Sequence, residues 1–269
     1  VERSRGLGDV YKRQVDGVNL TADQQALLSD IKDPVFRQTV RDHCVNQQFR
    51  KDYWVKGART LTTSEQTEQL RSVLVVLTQP RPNVSLKIQG HLGEANMQAA
   101  IYEPILDALA DRKPQTIGQL EQAVKGKKIS FGQLVQAVVV LCGTGALAAA
   151  QDTPQVERAR ASASRLNSLL LDKSRSRPDM AYLASPVLGG GVSVGRFAQL
   201  FLLARQQGLG QPREWAEFAW NAISQQGERL RKNDQVLMSP SENIEELTQQ
   251  AKAFADGQLP TLRALEVAE

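Results

Sequence analysis

Ala99-Ala-Ile-Tyr-Glu-Pro-Ile-Leu-Asp-Ala-Leu-Ala-Asp-Arg112, Gln115-Thr-Ile-Gly-Gln-Leu-Glu-Gln-Ala-Val124 and Ser130-Phe-Gly-Gln-Leu-Val-Gln-Ala-Val-Val-Val-Leu-Cys142 follow one another closely. Their apolar residues recur at helical spacing, so each stretch predicts a helix. Lys113-Pro114 separates the first from the second, and Gly126-Lys127-Lys128 separates the second from the third. The second break has the length of a helix-turn-helix turn, and residues 143–149 predict a strand. Three helices and a strand of these lengths predict a winged-helix-like domain, which we place over residues 99–190. A DNA-reading helix presents Arg, Lys, Asn or Gln to base edges. The third helix has only Gln133 and Gln136 to offer, beside a small patch of Lys125, Lys127 and Lys128. The domain therefore reads as one that packs against protein.

Working outward, Thr21 and Asp23 open a short helix through Ile31. Asp33-Pro34 caps a longer one that carries Val35, Phe36, Val40, Cys44 and Phe49. Ser64, with Thr67 and Glu68, opens another. Ser72-Val-Leu-Val-Val-Leu77 and Val84-Ser-Leu-Lys-Ile88 flank Gln79-Pro-Arg-Pro-Asn83 and predict a β hairpin closed by Gly90 and Gly93. Beyond residue 149 the sequence predicts a polar helix near 154–172 and a strand within 180–188 that runs into Gly189-Gly-Gly191. Helices follow at 194–207, 212–227, 241–256 and from 260. The fold class expected is mainly α with small β elements (α+β). Residues 15–98 form a first domain containing the hairpin, and residues 191–269 form a helical C-terminal region.

The opening residues 1–14, VERSRGLGDVYKRQ, have neither a periodic pattern nor the apolar centre of a leader peptide. They read as an adapter-like tail foreign to the protein, and the chain as a fragment. The whole chain holds 33 Lys and Arg against 29 Asp and Glu, a net charge of +4. The tail, with Arg3, Arg5, Lys12 and Arg13 against Glu2 and Asp9, accounts for half of that net charge. A near-neutral, mixed surface gives no electrostatic reason to expect nucleic acid or a membrane as partner. No apolar run approaches the roughly 20 residues that span a bilayer. Cys44 and Cys142, far apart within helical patterns, read as free thiols of a reducing, cytoplasmic compartment.

Candidate chemistry is sparse. Gly191-Val-Ser-Val-Gly195 matches the G-x-S-x-G pattern of a hydrolase's nucleophile turn. A histidine must follow to accept the serine proton, yet His43 and His91 both precede it. Ser193 therefore reads as the N-cap of the next helix. The same glycines fail as a dinucleotide fingerprint because Val194 stands where glycine is needed. Two histidines and two cysteines give no zinc spacing. Trp215, Phe218 and Trp220 read as core, and Glu245 and Glu246 as the wet face of a helix. No catalytic, cofactor-binding or metal-binding residue is assigned.

Asn46-Gln-Gln-Phe49-Arg50-Lys-Asp52-Tyr-Trp54-Val-Lys56-Gly57 has the form N-x-x-F-R-x-D-x-(aromatic)-x-(basic)-G. It resembles a segment of the methyltransferase regulatory domain family. Tyr182-Leu-Ala-Ser-Pro-Val187, with the glycines after it, and Val194-x-Arg196-x-x-Gln199 resemble the C-terminal part of the same proteins. The likeness runs from Leu20 to the end. It implies a bacterial S-adenosylmethionine-dependent methyltransferase, of a group that includes protein-lysine methyltransferases. In such proteins a Rossmann-like catalytic domain comes first, a regulatory domain follows, and a region containing a winged helix closes the chain. The catalytic domain, and S-adenosylmethionine with it, would then lie outside this fragment, which itself holds no cofactor. The expected partners are that domain and a protein substrate. Asn46, Phe49, Arg50, Asp52, Lys56 and Arg196 are the candidate interdomain or substrate contacts. Phe49, Tyr53 and Trp54 would anchor a helix end whose cations suit its dipole. Arg41, with Arg37, adds a basic helix edge. The alternative is a free-standing winged-helix module that binds protein or nucleic acid.

Overall fold

Val75, Val76 and Leu77 have almost no solvent exposure, and the first half of the chain is arranged around them. The computed structural model describes residues 16–48, 56–57 and 61–268, except the Val18 side chain. Two units result, Val1–Ala149 and Ala150–Glu269. The described helices of the first are α1 (Asp16–Asn19), α2 (Ala22–Asp30), α3 (Pro34–Cys44), α4 (Thr63–Ser72), α5 (Ala99–Ala108), α6 (Ile117–Ala123) and α7 (Phe131–Gly143). Its strands are β1 (Leu74–Leu77), β2 (Lys87–Gly90), β3 (Gly93–Asn96), β4 (Gln115–Thr116) and β5 (Leu147–Ala149).

The expected pairing of residues 72–77 with 84–88 does not form. Instead β1 is the centre of an antiparallel sheet of order β4-β1-β5, with Val75 opposite Gln115 on one side and Ala149 on the other. The reason lies in the composition of β1. A strand without polar alternation has no face to give to water, so it belongs where both faces are covered. Arg81–Asn83, after β1, forms a 3-10 turn. The hairpin is the next pair along, β2 with β3, and Gly90 and Gly93 face each other beside its His91-Leu92 turn. Gly93 has a φ of 112°, which glycine adopts without steric cost.

Helix starts follow side-chain caps. Thr116 and Gln119 form a reciprocal capping box at α6, and Ser130 with Gln133 does the same at α7. The start expected at Ser64 lies at Thr62, because Glu65 stands three residues after Thr62 and completes the box. Leu106, Leu109, Leu120, Leu134 and Leu141 bring α5, α6 and α7 into one core with Val75 and Leu77. Arg71, at the end of α4, is clamped over it. Its Nε lies 2.8 Å from Glu121 and its guanidinium 5.0 Å from the Phe131 ring.

The second unit contains α8 (Thr153–Lys173), a hairpin of β6 (Tyr182–Ser185) and β7 (Gly190–Ser193), α9 (Arg196–Gln206) and α10 (Pro212–Ser224). A small hairpin of β8 (Arg231–Lys232) and β9 (Gln235–Val236), α11 (Pro240–Ala253) and α12 (Leu259–Ala264) complete it. A π-helical turn, Phe254–Gln258, joins α11 to α12. Phe254 is buried there, its ring centroid 5.8 Å from Phe201 and 6.4 Å from Trp215. The tryptophan stripe thus serves the core at Trp215, with Phe218 and Trp220 half-buried. Helix α10 stops earlier than the sequence pattern suggests, shortly before Gly227 takes a φ of 72°. The observed architecture is mainly α with small, antiparallel β elements.

Two outcomes test this packing. Leu77→Ala removes a fully buried side chain beside the central strand and lowers stability by about 2–5 kcal/mol in urea unfolding. Exposed Val73→Ala changes it by less than about 0.5 kcal/mol. Burial in α7 pushes the Cys142 thiol up from 9.0 to about 11. Because the folded value is the higher one, its contribution to stability is present below pH 9.0 and is lost as pH rises towards about 11. Iodoacetamide labelling at pH 8 should find on the order of a hundredfold less thiolate at Cys142 than in the unfolded chain.

Candidate functional site

The N-x-x-F-R segment begins where α3 ends. Asp33 caps the start of that helix, accepting from the Phe36 amide at 2.6 Å. At the other end the Asn46 amide donates to His43 O, and the Gln47 amide to Asp42 O at 2.8 Å. This is a Schellman closure, and Asn46 occupies its left-handed position with a φ of 47°. Asparagine tolerates that conformation better than most side chains. Asn46 therefore turns the chain out of α3. Arg41 reaches back, its Nε 2.7 Å from Asp16, and ties α3 to α1. Val35 and Phe36, apolar positions of the expected core face, are 70% and 58% exposed. Lys56 and Gly57 form an exposed turn. Phe49, Arg50 and Asp52, with Lys51, Tyr53 and Trp54, lie outside the described residues.

Arg196 stands at the first turn of α9, in the second unit, and its side chain is 12% exposed. Its Nε donates to Ser174 O at 3.0 Å, one Nη donates to Glu228 at 2.7 Å, and the other donates to Arg175 O at 3.0 Å and Gln226 Oε1 at 3.2 Å. Gln226 Nε2 also donates to Arg175 O. The guanidinium fork thus holds the C-terminal end of α8 to the segment after α10. Arg175, whose carbonyl accepts from Arg196 and Gln226, lays its own guanidinium 5.0 Å from the Phe218 ring. The arrangement is a staple whose donors face inward.

The other sequence candidates are dispersed. Ser193 is the last residue of β7, and Gly195 caps α9, so the expected N-cap role of Ser193 is not what the structure shows. The strand extends through Ser193 because it pairs with Tyr182. Glu245 is exposed, whereas Glu246 is drawn inward by Lys232 at 2.8 Å, which holds its carboxyl below the usual range. His43 closes α3 and His91 opens the β2–β3 turn. Among the described residues, no group of three or more His, Cys, Asp and Glu is placed to hold a metal ion. No described helix is long and apolar enough to cross a membrane.

Two residues with decisive positions escape pattern reading. Asn167 lies on the buried stripe of α8 with Val156, Ala163 and Leu171. It accepts from the Ala184 amide at 2.7 Å and donates to Ala184 O at 2.8 Å. Asn243 in α11 accepts from the Leu230 amide and donates to Leu237 O, so it braces the β8–β9 hairpin. The signal for both is a lone amide at an apolar helical position.

Replacing the staple tests its role. Arg196→Lys supplies one point charge in place of a planar fork and leaves the buried Ser174 carbonyl without its Nε donor. Urea unfolding followed by tryptophan fluorescence should show a loss of about 2 kcal/mol.

Comparison with known proteins adds the following. A model described as "Predicted methyltransferase regulatory domain" matches residues 8–56. The uncharacterized protein sll1526 of Synechocystis sp. is 36% identical over 253 residues, which is 94% of this chain and 49% of that protein. The chain therefore spans about half the length of this curated relative. The structure of PKMT2 from Rickettsia typhi in complex with AdoHcy aligns over 93% of this chain and 52% of its own, at 13% identity and a TM-score of 0.44. Residues 8–56 of this chain are thus similar to the family described as a predicted methyltransferase regulatory domain.

Proposed function

We propose that this chain is the regulatory and substrate-recognition portion of a bacterial S-adenosylmethionine-dependent methyltransferase, of the protein-lysine type. Its partners are a Rossmann-like catalytic domain, N-terminal in the same polypeptide, and the protein that accepts the methyl group. The observation that carries this reading is the regulatory-domain match at residues 8–56. A 36%-identical relative about twice as long supports it, because such a relative has room for a further domain. The residues described here do not suit the methyl donor. Their strand pairs are antiparallel, whereas a nucleotide cradle of the Rossmann kind is built from parallel βαβ units with a glycine loop. S-adenosylmethionine is therefore assigned to the catalytic domain.

In this reading α3 and the segment after it face that domain. Asn46 sets the direction in which the chain leaves α3, and Phe49, Arg50, Asp52 and Lys56 make the contacts. Arg196 acts at one remove, by keeping the second unit in shape. Helices α5, α6 and α7 with the β4-β1-β5 sheet act as a winged-helix-like module for protein packing. The setting proposed is the bacterial cytoplasm.

The test is methyl transfer from tritiated S-adenosylmethionine into protein, by a full-length relative and by the same protein lacking the region aligned with this chain. Deletion should reduce transfer by about tenfold or more, equivalent to about 1.4 kcal/mol, while donor binding persists. Transfer by this chain alone at the full-length rate would overturn the proposal. Tight DNA binding with a steep salt dependence would favour the free-standing binding module instead.

A further inference from the structure

The β8–β9 hairpin sorts its side chains between two faces. Arg231 stands opposite Val236, and Lys232 opposite Gln235. The Leu237 amide donates to Leu230 O at 2.9 Å, so the pairing runs one step further, and Arg229 comes next, opposite Met238. Side chains alternate along a strand, which puts Arg229, Arg231, Val236 and Met238 on one face and Leu230, Lys232 and Leu237 on the other. The second face is tied down. Leu230 is buried, Lys232 reaches Glu246 at 2.8 Å, and Asn243 bonds the Leu230 amide and Leu237 O. The four residues of the first face are exposed.

Met238 is held on that face by its neighbours. Leu237 before it is tied to Asn243, and Ser239 after it caps α11 in a reciprocal box with Glu242. Of the three methionines in the chain it is the open one, at 67% exposure, whereas Met97 is buried and Met180 half-buried. Its sulfur is already engaged by a cation, for an Arg229 Nη donates to Sδ at 3.2 Å. Arg231 lies on the diagonal to Met238, a spacing that a long side chain spans.

We propose that Met238 is a site of reversible oxidation by hydrogen peroxide, and that Arg229, with Arg231 beside it, holds the sulfoxide. A sulfur lone pair attacks one peroxide oxygen, and an S–O bond forms as the O–O bond breaks. The sulfur gives up two electrons. The departing oxygen takes the proton of the oxygen transferred and leaves as water. An exposed thioether meets the oxidant without any opening of the fold. The guanidinium then acts on the product. A thioether is a weak acceptor, whereas a sulfoxide oxygen carries partial negative charge and suits a charged donor. Oxidation of a core methionine disrupts packing; here it replaces an apolar contact with a polar clasp across the base of the hairpin. Glu228, adjacent to Arg229, accepts from Arg196, so the clasp closes beside the staple at the end of α8.

The purified chain is treated with hydrogen peroxide and mapped by peptide mass spectrometry. Met238 should gain one oxygen atom on the order of tenfold faster than Met97 or Met180. Equal or slower oxidation of Met238 would overturn the site. Amide exchange by NMR should slow about threefold at Leu237 after oxidation, and methionine sulfoxide reductase should restore the first rate. Exchange that is unchanged or faster after oxidation would overturn the clasp. With Arg229→Leu and Arg231→Leu combined, Met238 should still be oxidised while the slowing at Leu237 is lost; slowing that survives would also overturn it. Met238→Gln, which sets an amide oxygen near the place of the sulfoxide oxygen, should slow the same exchange without oxidant, and this variant keeps both arginines should the double variant not fold. No methyl transfer is measured, so failure here is distinct from failure of the proposed function.

Discussion

A strand with Val75 and Leu77 on one face and Val76 on the other has no side to turn towards water. Its backbone groups must also be bonded, because buried amides without partners are costly. Both demands are met only by flanking strands on each edge and packed side chains on each face. In this chain β4 and β5, from far along the sequence, supply both edges of β1. Once β4 and β5 are fixed, α6 and α7 between them have little freedom, for they must cross from one edge of the sheet to the other. Their apolar stripes then meet α5 over β1.

The second unit is held by polar groups in apolar surroundings. The Ser185 hydroxyl donates to Leu265 O at 2.6 Å, and Asn167 donates to Val267 O at 3.3 Å. The chain after α12 is thus bonded to the hairpin and to α8, and Arg160 of α8 adds a bidentate pair with Glu266. Each buried amide or hydroxyl specifies one register, since a shifted register would strand it without a partner. Arg196 performs the same service at the opposite end of α8. Asn167 bonds the β6 edge of the hairpin between these ties.

What was legible in the sequence was mostly local. Asp33-Pro34 and Thr21 mark helix starts because capping is decided within four residues, whereas Gln24, which completes the Thr21 box, and the Ser130 cap are seen only in the structure. The strand at 74–77 was legible as a strand, but β-branched residues say nothing of which segment will pair with them. The hairpin was accordingly assigned to the nearest candidate and corrected to β2 with β3. Serine suits both a cap and a strand end, and Ser193 belongs to the strand because it pairs with Tyr182. Arg196 was singled out through resemblance, but its partners lie 22, 21, 30 and 32 residues away, beyond any local pattern.

The charge balance bears on how such a protein recognises a partner. With a net charge of +4 over 269 residues, long-range steering contributes little, so recognition falls to contacts made after encounter.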